Sequence, residues 1–105
     1  MKRGKLVRDN IPEIIRANGE EAEVVILDDK EYADAIDDKF VEEAIEVRAA
    51  KTPEQKLEEL ADIDELIDAR LITLGKTRED LESVKKLKAQ KRGRFIRKYF
   101  LISYE

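Results

Sequence analysis

The sequence has 105 residues and lacks cysteine, histidine and tryptophan altogether, with only two prolines and four glycines. Each absence removes a class of chemistry. Without imidazole or thiol there is no Ser-His-Asp or Cys-His triad, no nitrogen- or sulfur-ligated zinc, and no disulfide staple. Any metal must be held by oxygen alone, which restricts the choice to Mg²⁺, Mn²⁺ or Ca²⁺. So little glycine and proline argues against a disordered chain or a loop-rich β-fold. No apolar run approaches the length of about 18 residues that a membrane-spanning helix needs. The basic start, Met1 to Lys5, is followed only by Leu6 and Val7 before Arg8 and Asp9. That is too short for a secretory signal, so a cytoplasmic protein with no membrane partner is expected.

What the chain has in abundance is charge, at 44% of residues, and it is unevenly placed. Residues 1–19 carry five basic and two acidic side chains, residues 20–68 five and nineteen, and residues 69–105 eleven and four. A net charge of −4 therefore conceals an acidic middle between two basic ends. Such a division fits a nucleic-acid tail, an internal charge match, or a cation site flanked by anion-binding groups.

Local signals predict a mainly α single domain over residues 1–105. Asp9 or Asn10 is placed to cap a short helix through Ile11, Pro12, Ile14 and Ile15 that stops at Asn18-Gly19. Asp28-Asp29 precedes a helix near residues 30–50, whose apolar stripe runs Tyr32, Ile36, Phe40, Ala44, Val47. Thr52-Pro53-Glu54-Gln55 has an N-cap, a proline at the first helical position and the reciprocal arm of a capping box. The helix it opens should run to Leu74, burying Leu57, Leu60, Ile63, Ile67, Leu71 and Leu74, and end at Gly75. Thr77 begins another helix near 78–91 that turns Leu81, Val84 and Leu87 inward. Residues 22–27 and 95–103 are apolar and β-prone, and are expected to pair in a small sheet.

The connection at Thr52-Pro53 is so short that the helices on either side must be antiparallel neighbours. Glu43 and Glu46 share one face by their i, i+3 spacing, as do Glu59 and Asp62. The pairs Glu43/Asp62 and Glu46/Glu59 are both centred on the Thr52-Pro53 turn, so all four carboxylates fall at one level of the hairpin. Four like charges at one level repel and raise one another's pKa values, and a hard divalent cation resolves the conflict. The competing reading is a solvated face of a very acidic segment, which supplies accidental matches. Glu42, Glu58 and Glu65 are secondary candidates, Glu65 lying three residues beyond Asp62 and placed to support the same ion from outside.

Glu43-x-x-Glu46 followed after twelve residues by Glu59-x-x-Asp62 resembles the metal motif of the MazG-like all-α nucleotide pyrophosphohydrolases. Lys39 to Val47 and Glu58 to Ile63 look like that family's paired motif helices. Lys5-Leu-Val-Arg-Asp-Asn-Ile-Pro12 and Lys91-Arg-Gly-Arg-Phe95 are similar to the two ends of a short phosphoribosyl-ATP pyrophosphohydrolase-like subgroup. Asn10 stands where lysine is commoner there, and Arg94 where a second glycine is more usual. The resemblance spans nearly the whole chain. It implies hydrolysis of a nucleoside triphosphate or related nucleotide between the α- and β-phosphates. Glu43, Glu46, Glu59 and Asp62 would hold Mg²⁺, with Mn²⁺ as a substitute, and Glu42 or Glu46 would orient the attacking water. Lys5, Arg8, Arg92 and Arg94 become candidates to bind phosphate.

Phosphoribosyl-ATP pyrophosphohydrolase of histidine biosynthesis shares the acidic hairpin but not, so far as the pattern goes, the Lys5–Pro12 signature. Nucleic-acid binding through the basic residues near Phe95, Tyr99, Phe100 and Tyr104 is disfavoured, because Leu81, Val84 and Leu87 need burial and the aromatics suit a core strand. A non-catalytic helical interaction module is the third alternative. A two-helix hairpin cannot bury both apolar faces alone, so a homodimer or homotetramer that completes a four-helix bundle is expected in any case.

Overall fold

A computed structural model describes residues 4–105; Met1, Lys2 and Arg3, which begin the basic amino-terminal block, lie outside the described residues. The fold is mainly α, with α1 at Ile11–Ala17, α2 at Asp29–Ala49, α3 at Pro53–Leu74 and α4 at Arg78–Arg92. The helices divide between two compact units, one ending at Gly75 and the other running from Lys76 to Glu105.

In the first unit, α1 is entered through a backbone turn. The Ile11 N–H donates to the Arg8 carbonyl at 3.1 Å, and Pro12, the next residue, has no N–H to satisfy. The side chain of Asn10, the N-cap residue, makes no capping bond, contrary to the expected cap. The helix ends in a Schellman arrangement: Gly19 at φ +84 donates to Arg16, and Glu20 donates to Ile15. Arg16 then reaches forward to the Ala22 carbonyl at 2.8 Å and ties the following chain back to α1.

Asp28 and Glu31 form the capping box that opens α2. Thr52 caps α3 through the Gln55 N–H at 3.1 Å, but Gln55 reaches past Thr52 to accept from the Lys51 N–H at 3.0 Å. The turn is therefore bound over one residue more than a standard capping box requires. α2 and α3 pack along each other as an antiparallel hairpin. Near the turn, the Lys56 ammonium donates to the Val47 carbonyl at 2.8 Å. Towards the other end, Arg70 grips Asp37 with two parallel bonds of 2.9 and 3.0 Å, its guanidinium steadied by the Thr73 hydroxyl.

Along α2, Ile36 is fully buried, and Tyr32, Phe40 and Val47 are half-buried. Ala44 is exposed, and the place expected for it in the apolar stripe belongs to Glu43, which is only 4% exposed. On α3, Ile63, Ile67 and Leu71 are half-buried, whereas Leu57, Leu60 and Leu74 are exposed. Two helices touch along one seam, so apolar residues on their outer flanks have nothing in this chain's hairpin to cover them.

In the second unit, Thr77 and Asp80 form a reciprocal capping box at the start of α4. The hydrogen bonds from Thr77 hold the Asp80 carboxyl below its ordinary pKa. Leu81 is half-buried, but Val84 and Leu87 are exposed, against the expected inward stripe. The small sheet is also corrected, because the described residues contain no strand. β-branched and aromatic composition favours a strand only where a ladder partner and a packing surface exist. Ile26 in one segment and Phe95 in the other are fully exposed, and Lys98 at φ +62 interrupts any extended run over 95–103.

Gly75 terminates α3 at φ +66, and a Cβ added there would meet no atom within 4 Å. The cost of a side chain at this position is therefore conformational alone. Gly75→Ala should lower stability by about 1 kcal/mol, while Gly75→Asn should lose less; urea-denaturation midpoints check both.

Candidate metal centre

Glu43, Glu46, Glu59 and Asp62 come together in the hairpin, as the symmetry about the Thr52-Pro53 turn predicts. One carboxylate oxygen from each of Glu43, Glu59 and Asp62 lies within 4.8 Å of the other two. Glu42, Glu43 and Glu46 form a second group by the same measure, so Glu43 belongs to both. Oxygens about 2.1 Å from an octahedral Mg²⁺ are roughly 3 Å apart when adjacent and roughly 4.2 Å when opposite.

The environment of Glu43 is what separates this cluster from an ordinary acidic surface. It occupies a core position, one helical turn from Phe40 and two from Ile36, and its Oε2 has no hydrogen-bond partner. The Oε2 of Glu59 is also buried without a partner. Two ionised carboxylates have no hydrogen to share, so their contact becomes a hydrogen bond only when one of them is protonated. Burial pushes the Glu43 carboxyl up to about 7, reinforced by the contact with Glu59 and by the charges of Glu46, Asp62 and Glu59. Glu59 is raised as well, chiefly through hydrogen bonding with Glu46. A buried carboxylate without full compensation costs several kcal/mol, and Lys39, 3.9 Å from Glu43 Oε1, offsets only part of it.

Lys39 is the residue that motif reading passed over. Its ammonium also bonds Glu42 at 3.1 Å and so orients that carboxylate at the edge of the cluster. Its positions three before Glu42 and four before Glu43 are the signal that identifies it. Arg8 donates to Asp62 Oδ1 at 2.6 Å, bringing one predicted basic residue directly onto a predicted ligand. That bond and the charges of Asp62, Glu65 and Glu43 raise the guanidinium pKa further. Glu65 is exposed and within the electrostatic reach of Arg8, while Glu58 is exposed and in neither carboxylate group. Lys5 is exposed. Arg92 closes α4 and Arg94 follows it in the second unit, both exposed.

No family model matches the chain, and no solved structure matches it. A stretch of 54 residues, 51% of the chain, is 50% identical to an uncharacterised protein of Mycolicibacterium smegmatis. The match covers 55% of that relative, so the chain spans about half the length of the curated relative it matches.

The raised Glu43 pKa makes a signed prediction. The folded state binds a proton near pH 7 that the unfolded carboxyl, with an ordinary value of 4.5, gives up. In chelator-treated protein this stabilisation should be fully present below about pH 4.5 and lost as the pH rises through 7. Glu43→Gln should flatten the stability profile across that window and raise the melting temperature at pH 8. Thermal melts at constant ionic strength measure both effects.

Proposed function

We propose that the chain is a Mg²⁺-dependent nucleotide pyrophosphohydrolase of the MazG-like kind. It would cleave a nucleoside triphosphate or related nucleotide between the α- and β-phosphates, releasing a monophosphate and pyrophosphate. The observation that carries this reading is the buried Glu43 carboxylate, its Oε2 without a hydrogen-bond partner, between Glu46 on its own helix and Glu59 and Asp62 on the next. A core position given to an acid that Lys39 compensates only in part is a cost that a structural role does not explain, and a divalent cation would offset the rest.

Glu43, Glu46, Glu59 and Asp62 are the residues that would hold the metal. When bound, Mg²⁺ supplies charge neutralisation of phosphate oxygens and a more acidic water. Glu42, held by Lys39 beside the other carboxylates, or Glu46 would take the proton of the attacking water. The water oxygen joins one phosphorus as the bridging oxygen leaves with the other. Arg8, with Lys5 on the same segment, provides positive charge for the phosphate chain. The substrate class puts this work in the cytoplasm. Among the described residues, no helix is long and apolar enough to cross a membrane.

The same reading includes assembly into a homodimer or homotetramer. It is supported by Val41 and Ile45 on α2 and Leu57 and Leu60 on α3, all more than half exposed, while among the described residues Ile36 alone is fully buried. Ile45→Glu should shift the species measured by light scattering at micromolar concentration to a smaller mass. A wild-type chain that is already monomeric there counts against the assembly.

A second reading applies to the carboxy-terminal unit. Phe95, Tyr99, Phe100 and Tyr104 are exposed beside Arg94, Arg97 and Lys98, which removes the argument that these aromatics are needed in a core strand. Basic residues interleaved with free aromatics suit single-stranded nucleic acid. Salt-sensitive oligonucleotide binding that persists when all four carboxylates are neutralised would favour this reading.

The deciding experiment for the enzyme is pyrophosphate release from a panel of standard and damaged nucleotides and phosphoribosyl-ATP, with and without Mg²⁺. Mg²⁺ at ten to a hundred times its dissociation constant should stabilise the fold by about 1.4–2.7 kcal/mol. Glu46→Gln and Asp62→Asn should each remove that gain and abolish turnover while leaving the helical signal intact. Melting that ignores Mg²⁺, together with an active Glu46→Gln variant, would refute the proposal.

A further inference from the structure

The Arg70–Asp37 and Arg8–Asp62 pairs each join separate segments of the first unit, and they are built differently. Arg70 holds Asp37 through a two-bond fork, and its guanidinium is braced by Thr73. That is the geometry of a structural clamp. Arg8 touches Asp62 through one bond, Nη2 to Oδ1, with the arginine side chain 56% exposed. Its backbone, by contrast, is fixed, since the Arg8 carbonyl accepts the first N–H of α1. Arg8 is thus a pivot with an anchored base and a largely exposed side chain.

The oxygen group that Arg8 touches is also one of the three that converge with Glu43 and Glu59. A guanidinium bonded to Asp62 and a cation drawn in by the same carboxylates compete for one ligand. The contest is close, because an exposed ion pair is weak, whereas the buried Glu43 and Glu59 oxygens that lack a hydrogen-bond partner would gain one in the cation. Four carboxylates around one divalent ion still leave an excess of negative charge, which repels a phosphate chain unless a further cation faces it.

We propose that Arg8 and the divalent cation are alternative partners of Asp62, so that metal loading turns the Arg8 guanidinium away from the hairpin and into a ligand for a polyphosphate anion. This rests on the metal reading above and adds an order to it. In the metal-free chain Asp62 keeps Arg8 from an anion; in the loaded chain the freed arginine accepts one. Anion binding thereby becomes conditional on metal, and by reciprocity the anion tightens the metal.

Mn²⁺ binding, measured by electron paramagnetic resonance in anion-free buffer, tests the exchange on wild type, Arg8→Gln and Lys5→Gln. Removing the competitor should tighten Mn²⁺ about two- to fivefold in Arg8→Gln, the range set by an exposed ion pair. Lys5→Gln, which removes an equal charge from the same segment without breaking the bond to Asp62, should change it less. Inorganic pyrophosphate should then bind Mn²⁺-loaded wild type at least tenfold tighter than loaded Arg8→Gln, and should show no such preference without metal. Weaker or unchanged Mn²⁺ binding in Arg8→Gln would overturn the exchange, because Arg8 would then support Asp62 instead of competing for it. An equal gain in Lys5→Gln would also overturn it, as a general effect of charge. Failure of wild type to bind Mn²⁺ at all would instead remove the metal site itself.

Discussion

Like-charge repulsion inside a helical seam is the constraint on which the rest of this structure depends. α2 and α3 meet along a line that should be apolar throughout, and Ile36, Phe40 and Val47 follow that rule. Glu43 does not, and it faces Glu59 and Asp62 across the seam. The fold tolerates the conflict because other contacts hold the hairpin closed. The Thr52 cap, the Lys56 bond to the Val47 carbonyl and the Arg70 fork on Asp37 lie on either side of the acids. None of them passes through a carboxylate of the cluster.

The charges surrounding that seam are arranged to soften the repulsion without ending it. Lys39 attends to Glu42 and more distantly to Glu43, while Arg8 attends to Asp62. Each cation sits at the edge of the group, and the oxygens at its centre remain unpartnered. A purely structural solution would have placed an arginine at the centre or an apolar residue at position 43. Peripheral compensation leaves the central oxygens of Glu43 and Glu59 without a hydrogen-bond partner.

Much of the hairpin could be read directly from residues. The Thr52-Pro53 pair locates the turn, and the antiparallel sense follows from its shortness, so the meeting of Glu43 with Asp62 needed no coordinates. The caps at Asp28 and Thr77 were equally plain, because a side-chain oxygen and the N–H three residues on are local partners. Burial was less legible. The stripe through Ala44 was drawn by apolar character, but geometry gives that place to Glu43, a residue whose chemistry disguises its position. The β-prone segments misled for a related reason. Strand preference is a statement about neighbours, and Ile26 and Phe95 have none. Asn10 makes no cap because its backbone is already helical, at φ −91 and ψ −4, instead of extended as an N-cap requires, and Pro12 offers no N–H.

The Arg70–Asp37 fork lies well away from the carboxylates, yet it is one of two points that fix their spacing. A hairpin hinged at Thr52 alone would relieve its electrostatic tension by opening like a pair of tongs, widening most at its free end. With the free end pinned, the carboxylates can yield only by changing rotamer or occupancy. Sensitivity to substitution along this hairpin therefore does not decay smoothly with distance from the acids. It has a second maximum at residues 37 and 70, where loss of the fork would loosen the jaws while every carboxylate remained in place.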